Sequence, residues 1–127
     1  MITRVININI PIKPLSINAA FQGRRFKTRK CKQYEKDVFI HLPKGVMIEG
    51  YISIMYEFYL KNFKMTDADN LVKVLQDCIV KQGIIEDDRK IVDYAIYKYP
   101  SSIDRIEIFI KENKEAYSWF KKGQINV

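Results

Sequence analysis

Residues Met65–Lys90, which read MTDADNLVKVLQDCIVKQGIIEDDRK, decide both the fold and the chemistry that we predict for this chain. The stretch opens with Asp67 and Asp69, one residue apart, and closes with three consecutive acidic residues, Glu86–Asp88. Crowded carboxylates repel one another unless protons or a cation neutralise them. In a chain with a formal net charge of +7, a hard divalent metal such as magnesium is the simplest explanation for such clustering.

Between the two acidic groups the sequence predicts an amphipathic helix. Its apolar residues recur at spacings of three and four: Leu71, Val74, Leu75, Cys78 and Ile79. We expect an extended backbone over Asp67–Asp69, which places both carboxylates on one side, with Asp69 as the helix N-cap and Gly83 as a left-handed C-cap residue. Lys73, one turn beyond Asp69, shares the polar side with Asp77, and a cation there would steady a phosphate.

Each acidic group also has a simpler interpretation. Aspartate is a common N-cap residue, and an acidic run after a helix is often only a solvated turn. The Asp-x-Asp pattern also occurs in phosphatases and sugar transferases. A phosphatase nucleophile would directly follow a buried strand, whereas Lys64–Thr66 intervenes here, and the chain has no room for the nucleotide-binding domain of a sugar transferase. The combination of the two groups favours a metal-dependent nuclease more strongly than either group alone.

Length and composition favour a single domain over residues 1–127, with 47% hydrophobic residues to form its core. No apolar run approaches the roughly 20 residues of a membrane span, and no signal peptide is recognisable, so we expect a cytoplasmic protein without membrane contact. Cys31 and Cys78 fall in different predicted helices and are expected to be buried thiols. The only histidine, His41, is expected at a helix end rather than in a catalytic site.

The remaining elements alternate between strands and helices. The first three are a strand over residues 6–10, a helix over Lys30–Leu42 and a long strand over Val46–Leu60. After the central stretch, two strands, Ile91–Tyr99 and Ile103–Ile110, are expected to form a hairpin joined at Pro100–Ser102. The last element is a short helix over Lys111–Lys122, with Ala116, Trp119 and Phe120 as its apolar side. The prediction is therefore an α/β (α+β-like) domain whose mixed β-sheet is flanked by helices, in the order β-α-β-α-β-β-α.

A basic segment precedes the first long helix. Its six cations are Arg24, Arg25, Lys27, Arg29, Lys30 and Lys32, and they are interleaved with phenylalanines. With a sequence pI of about 9.4, this density favours contact with a nucleic-acid backbone over a merely solubilising loop, and the segment is not amphipathic enough for a membrane surface. We expect DNA to contact Arg24, Arg25, Lys27, Arg29, Lys30, Lys64 and Lys73.

The central stretch resembles the RusA family of Holliday junction resolvases. The resemblance rests on Asp67-Ala68-Asp69-Asn70-Leu71 followed by Lys73, Asp77, Gly83 and Asp87-Asp88 without an insertion. Pro14, Ser16 and Asn18 also resemble the opening loop of that family, less specifically. The similarity covers most of the chain in order, and it implies a RusA-like fold and a source in bacteria or their phages and prophages.

The resemblance also implies roles for particular residues. Asp67, Asp69 and Asp88 would be catalytic and would bind Mg²⁺, for which Mn²⁺ can substitute. Lys73 would be the fourth catalytic residue, while Asp87 is a weaker metal ligand, and Glu86 and Asp77 are weaker still. The implied protein is a homodimer that cuts two strands of four-way junction DNA symmetrically during recombination and repair.

Two other functions fit the residues taken without the resemblance. A non-catalytic basic DNA-binding module explains the charge but leaves the acidic groups without a purpose. A magnesium-dependent nuclease for other branched or single-stranded nucleic acid would use the same site on a different surface. Metal-dependent cleavage separates the first from a resolvase, and substrate choice separates the second.

Overall fold

The computed structural model describes residues 3–23 and 26–120. The strands are β1 (Val5–Ile10), β2 (Phe21–Gln22), β3 (Phe26–Lys27), β4 (Ile52–Leu60), β5 (Ile91–Pro100) and β6 (Arg105–Glu112), and the α-helices are α1 (Ile17–Ala20), α2 (Arg29–His41) and α3 (Val72–Gln82). Short 3₁₀ turns lie at Phe63–Met65, Ala68–Leu71, Asp88–Lys90 and Lys114–Ser118. The predicted α/β class with a mixed sheet is confirmed. Within the described ranges, no helix has the length and apolar character needed to cross a membrane.

The main sheet has four strands in the order β1-β6-β4-β5. β6 is antiparallel to both of its neighbours, whereas β4 and β5 run parallel and are joined through α3. Parallel neighbours require such a crossover, which is why a helix lies between these two strands. The helix α3 therefore starts beyond the carboxyl end of β4 and returns to the opposite end of the sheet, where β5 begins.

The predicted hairpin between the last two strands is wrong, because β4 lies between β5 and β6. The connection between β5 and β6, residues 101–104, crosses the end of β4 and is hydrogen-bonded to it. The backbone N–H of Ser101 donates to the carbonyl of Leu60 at 3.0 Å, and the carboxylate of Asp104 accepts from the N–H of Lys61 at 2.9 Å. As a result, β4 pairs with β5 on one side and with β6 on the other. A hairpin of β5 and β6 would let β4 pair with only one of them.

One face of the sheet is buried against α2 and α3, which also pack on each other. Alternate residues of β4 are all buried on this face: Ile52, Ile54, Tyr56, Phe58 and Leu60. The strand begins six residues later than predicted, at Ile52, because the preceding segment turns at Gly45 and Gly50, whose φ angles are +70° and +79°. The side chains of β4 on the other face are half-buried.

The α3 helix follows the predicted pattern. All five of its predicted apolar residues are buried, and Gly83 ends the helix with φ +82° in the left-handed conformation. In α2, Thr28 accepts a hydrogen bond from the backbone N–H of Cys31 as the N-cap, and His41 is the last helical residue, as expected. Both cysteines, Cys31 and Cys78, are free and buried.

Two local predictions are wrong. Asp69 is neither extended nor the N-cap of α3, because a 3₁₀ turn over Ala68–Leu71 precedes the α-helix; only Asp67 is extended. At the carboxyl end of the described chain, β6 continues to Glu112 where a helix was predicted to begin. Ala116 is buried, but Trp119 and Phe120 are 38% and 58% exposed. Residues 121 and 122 of the predicted helix lie outside the described residues.

Candidate active site and nucleic-acid surface

The loop between β4 and α3 carries the first acidic group and is held by β5. The ammonium of Lys98 donates to the carbonyls of Phe63 and Thr66, at 2.8 and 3.0 Å, and lies 4.2 Å from the centre of the Phe63 ring. The Thr66 hydroxyl donates to the carbonyl of Asn62 at 2.7 Å. These contacts fix the backbone immediately before Asp67.

The carboxylates of Asp67 and Asp69 are exposed to solvent. Neither side chain accepts a hydrogen bond from, or forms an ion pair with, any residue in ranges 3–23 and 26–120, and Asp67 does not cap the 3₁₀ turn that it precedes. Mg²⁺ takes oxygen ligands, commonly one or two carboxylates with several waters. Two unengaged carboxylates two positions apart on a fixed loop fit that requirement.

Lys73 lies in the first turn of α3, close in sequence to this pair. Its ammonium is 3.1 Å from the carboxylate of Asp77, four residues further along, and both side chains are substantially exposed. An exposed ion pair of this kind contributes about 0–1 kcal/mol, so exchanging Asp77 for a phosphate would cost Lys73 little. Lys73 is therefore an exposed cation, four residues beyond Asp69, whose ion pair is weak.

The second acidic group lies around the 3₁₀ turn that precedes β5, and two of its carboxylates have structural roles. Asp87 accepts hydrogen bonds from the backbone N–H of Arg89 at 2.8 Å and from its guanidinium at 3.3 Å. These bonds from Arg89 lower the pKa of Asp87 to about 2. Glu86 accepts from the backbone N–H of Gly50. Asp88, the first residue of the turn, is exposed.

The two acidic groups do not come together within one chain. Asp67 and Asp69 lie at the start of α3, whereas Asp88 follows its end, and eleven helical residues span about 16 Å. Among the described residues, no three histidine, cysteine, aspartate or glutamate side chains are grouped closely enough to hold a metal. Within one chain, the two predicted groups of metal ligands therefore lie at opposite ends of α3.

A cavity of about 630 Å³ opens beside Asp67. Its walls come from the loop after β1, from α1, from the first half of α2 and from the loop that carries Asp67, and Lys13 and Lys30 contribute its cations. The sequence did not predict this cavity. Its only signal was the segment with Pro14, Ser16 and Asn18, all three of which line it.

Residues 11–111 match the family model described as "Endodeoxyribonuclease RusA". The chain belongs to the RusA family. The crossover junction endodeoxyribonuclease of Enterobacteria phage 82 is 29% identical over 113 residues, which cover 84% of this chain and 93% of that protein. The enzyme of the same name from Escherichia coli K12 is 28% identical over the same coverage, and that of Shigella sonnei is 30% identical over 67% of this chain and 65% of its own.

The basic segment of this RusA-family chain is more structured than predicted. Arg24 and Arg25 lie outside the described residues, but the segments on either side of them pair as the two-stranded β2–β3 ribbon. Lys27 is 2.8 Å from the carboxylate of Glu35, and this hydrogen bond raises the pKa of Lys27. Lys27 is therefore partly committed to holding the ribbon on α2.

The other expected DNA contacts remain accessible. Arg29 and Lys30 are exposed at the start of α2, and Lys64 is exposed on the 3₁₀ turn before Asp67. Lys30 also lines the cavity that Asp67 lines, so a predicted DNA contact and a predicted metal ligand share one concave surface.

Proposed function

We propose that this chain is an endodeoxyribonuclease that resolves four-way DNA junctions by paired, symmetric cleavage in the presence of Mg²⁺ or Mn²⁺. The observation that carries the proposal is the pair of exposed, unengaged carboxylates of Asp67 and Asp69 beside Lys73, in a chain with a net charge of +7. Its membership of the RusA family and the junction-cleaving names of its relatives support the same activity.

Asp67, Asp69 and Asp88 would hold a magnesium ion, which when bound activates water and stabilises negative charge on a scissile phosphate. Lys73 would leave Asp77 and contact that phosphate. Arg29, Lys30 and Lys64 would bind neighbouring phosphates, so affinity should fall steeply as salt rises. None of these residues is needed for the core, because all are exposed.

The separation of the two acidic groups supports a homodimer. We propose that each metal site is built from Asp67 and Asp69 of one protomer and Asp88 of the partner subunit. The surface near Asp88 suits a protein contact, because Tyr51 and Tyr117 pack with ring centres 5.0 Å apart and Tyr117 remains 55% exposed. Lys90, in the same turn as Asp88, lies 5.0 Å from the centre of the Tyr51 ring. Two such sites in a symmetric dimer would account for paired cuts.

Cleavage of a synthetic four-way junction beside a linear duplex of the same sequence, with Mg²⁺ and with EDTA, tests the function. Symmetric nicks on the junction alone, absent in EDTA, are the expected result. Equal cutting of all substrates would instead identify a general magnesium-dependent nuclease. Tight junction binding without cleavage in either divalent metal would identify a DNA-binding module.

A further inference from the structure

The cavity beside Asp67 is a larger recess than two carboxylates and a metal ion require. Pockets for drug-sized ligands commonly enclose about 300–1,000 Å³, and this one encloses about 630 Å³. Its lining includes the exposed Met65, and its other apolar residues include Pro14, Leu15 and Leu71. It therefore offers room for a flat organic group beside the place where the backbone of DNA would be cut.

The polar lining of the cavity is mostly uncharged and can both donate and accept hydrogen bonds. Four lining residues have side-chain amides, Asn18, Gln33, Asn62 and Asn70, and each amide carries two donor hydrogens and an acceptor oxygen. Gln33 is fixed in place because its amide nitrogen donates to the Asp37 carboxylate at 3.0 Å. A lining of this kind matches the edge of a nucleobase, which presents donors and acceptors side by side.

The cavity lining also contains two cationic residues. Lys13 lies in the loop after β1 and Lys30 in the first turn of α2, so they reach the cavity from two separate segments. Neither lysine forms an ion pair with another described residue, in contrast to Lys27 and Lys73. They are thus available to a phosphate at the mouth of the cavity.

We propose that this cavity receives one unstacked nucleotide of the strand that is cut, with its base among the amides and its phosphate against Lys13 and Lys30. The proposal rests on the proposed function and adds a specificity site to it. Enzymes that read an extruded base use hydrogen bonds to its pairing edge together with apolar contacts. Unstacking costs a few kcal/mol and least where pairing is already weak, as at the centre of a branched junction. Selection of such a nucleotide would place the adjacent phosphate at Asp67.

The test uses four-way junctions that carry 2-aminopurine at successive positions around the crossover, because this base fluoresces more strongly when it is unstacked. The wild-type protein is added in EDTA, so that nothing is cut, and is expected to raise the fluorescence at one position next to the cleaved phosphate. Asn18→Trp, which fills the cavity, should abolish that rise and lower kcat/KM on the junction about tenfold, equivalent to about 1.4 kcal/mol. The same substitution at Asn9, exposed on β1 away from the cavity, should change neither.

A second pair of variants tests the phosphate contact with charge held equal. Lys30→Gln and Lys36→Gln remove the same charge from exposed positions of α2, but only Lys30 lines the cavity. Only Lys30→Gln should reduce the 2-aminopurine signal. If the protein binds and cuts junctions while no position brightens, or if Asn18→Trp behaves as Asn9→Trp does, the nucleotide pocket is refuted and the resolvase function stands. Failure of the wild type to cut any junction refutes the proposed function itself.

Discussion

Asp69→Asn should separate catalysis from folding in this protein. The Asp69 carboxylate is exposed and makes no hydrogen bond or ion pair with a described residue, so replacing it removes no such contact from the part of the chain that the structure describes. Exposed substitutions of this kind usually change the free energy of unfolding by less than about 0.5 kcal/mol. Removal of one of two nearby negative charges also relieves repulsion. We therefore expect a melting temperature equal to or slightly above that of the wild type.

The expected loss of activity is far larger. A metal ion contributes several kcal/mol of transition-state stabilisation in reactions of this class. If the amide reduces that contribution by about 4 kcal/mol, the cleavage rate falls about 10³-fold, since each 1.36 kcal/mol corresponds to a factor of ten. Binding of junction DNA in EDTA should be unchanged or slightly tighter, because one negative charge is lost from the surface that faces the phosphates.

Three measurements on one preparation check this prediction: a thermal melt, a gel-shift titration in EDTA, and single-turnover cleavage in Mg²⁺. Asp93→Asn is the matched control, because Asp93 is an exposed aspartate on β5 and lies outside the proposed site. The control should melt, bind and cut like the wild type. Cleavage by Asp69→Asn at the wild-type rate, or a loss of rate that follows a loss of stability, would refute the role assigned to Asp69.

Three further predictions concern stability. Tyr34→Phe should raise the free energy of unfolding in urea by roughly 1 kcal/mol, because the buried Tyr34 hydroxyl has no hydrogen-bond partner of ordinary geometry among the described residues; a decrease would show that it is satisfied. Gly83→Ala and Gly50→Ala should each cost about 1–2 kcal/mol of left-handed backbone strain in a thermal melt, because the Tyr117 hydroxyl that a Cβ at Gly50 would meet ends an exposed side chain that can move aside; a wild-type melting temperature for either variant would contradict this. Asp87→Asn should make the free energy of unfolding less dependent on pH in acid. The pKa of Asp87 is lowered to about 2 in the folded protein, so its carboxylate stabilises the fold above about pH 4, and this stabilisation is lost towards pH 2. An unchanged midpoint of acid unfolding would contradict the prediction.

The elements that hydrophobic spacing specifies were predictable. The buried face of α3 and the alternation along β4 follow from apolar residues that recur with periods of 3.6 and 2, and such periods can be seen in the sequence itself. Gly83 was also predictable, because the left-handed end of a helix favours glycine for a local steric reason. The family of the chain followed from the Asp-x-Asp-Asn and Asp-Asp spacing.

What the sequence concealed depends on contacts between distant segments. The position of β4 between β5 and β6 is fastened by Ser101 and Asp104, whose partners lie about forty residues earlier. A 3₁₀ turn at Ala68–Leu71 stands where the N-cap was expected, and the loop before it is held by Lys98 from a later strand. Close spacing in sequence suggested that Asp69 and Asp88 would meet, whereas the parallel pairing of β4 and β5 places α3 between them.

Mixing two inactive variants on a four-way junction tests most directly whether two chains build each site. Asp69→Asn and Asp88→Asn are each expected to be inactive alone in Mg²⁺. In a mixed dimer, the Asp69→Asn chain still supplies Asp88 to its partner, which retains Asp67 and Asp69, so one complete site forms. We predict single-strand nicks by the mixture, with the other site silent. If the mixture remains as inactive as either variant while mixed dimers are shown to form, the shared site is wrong.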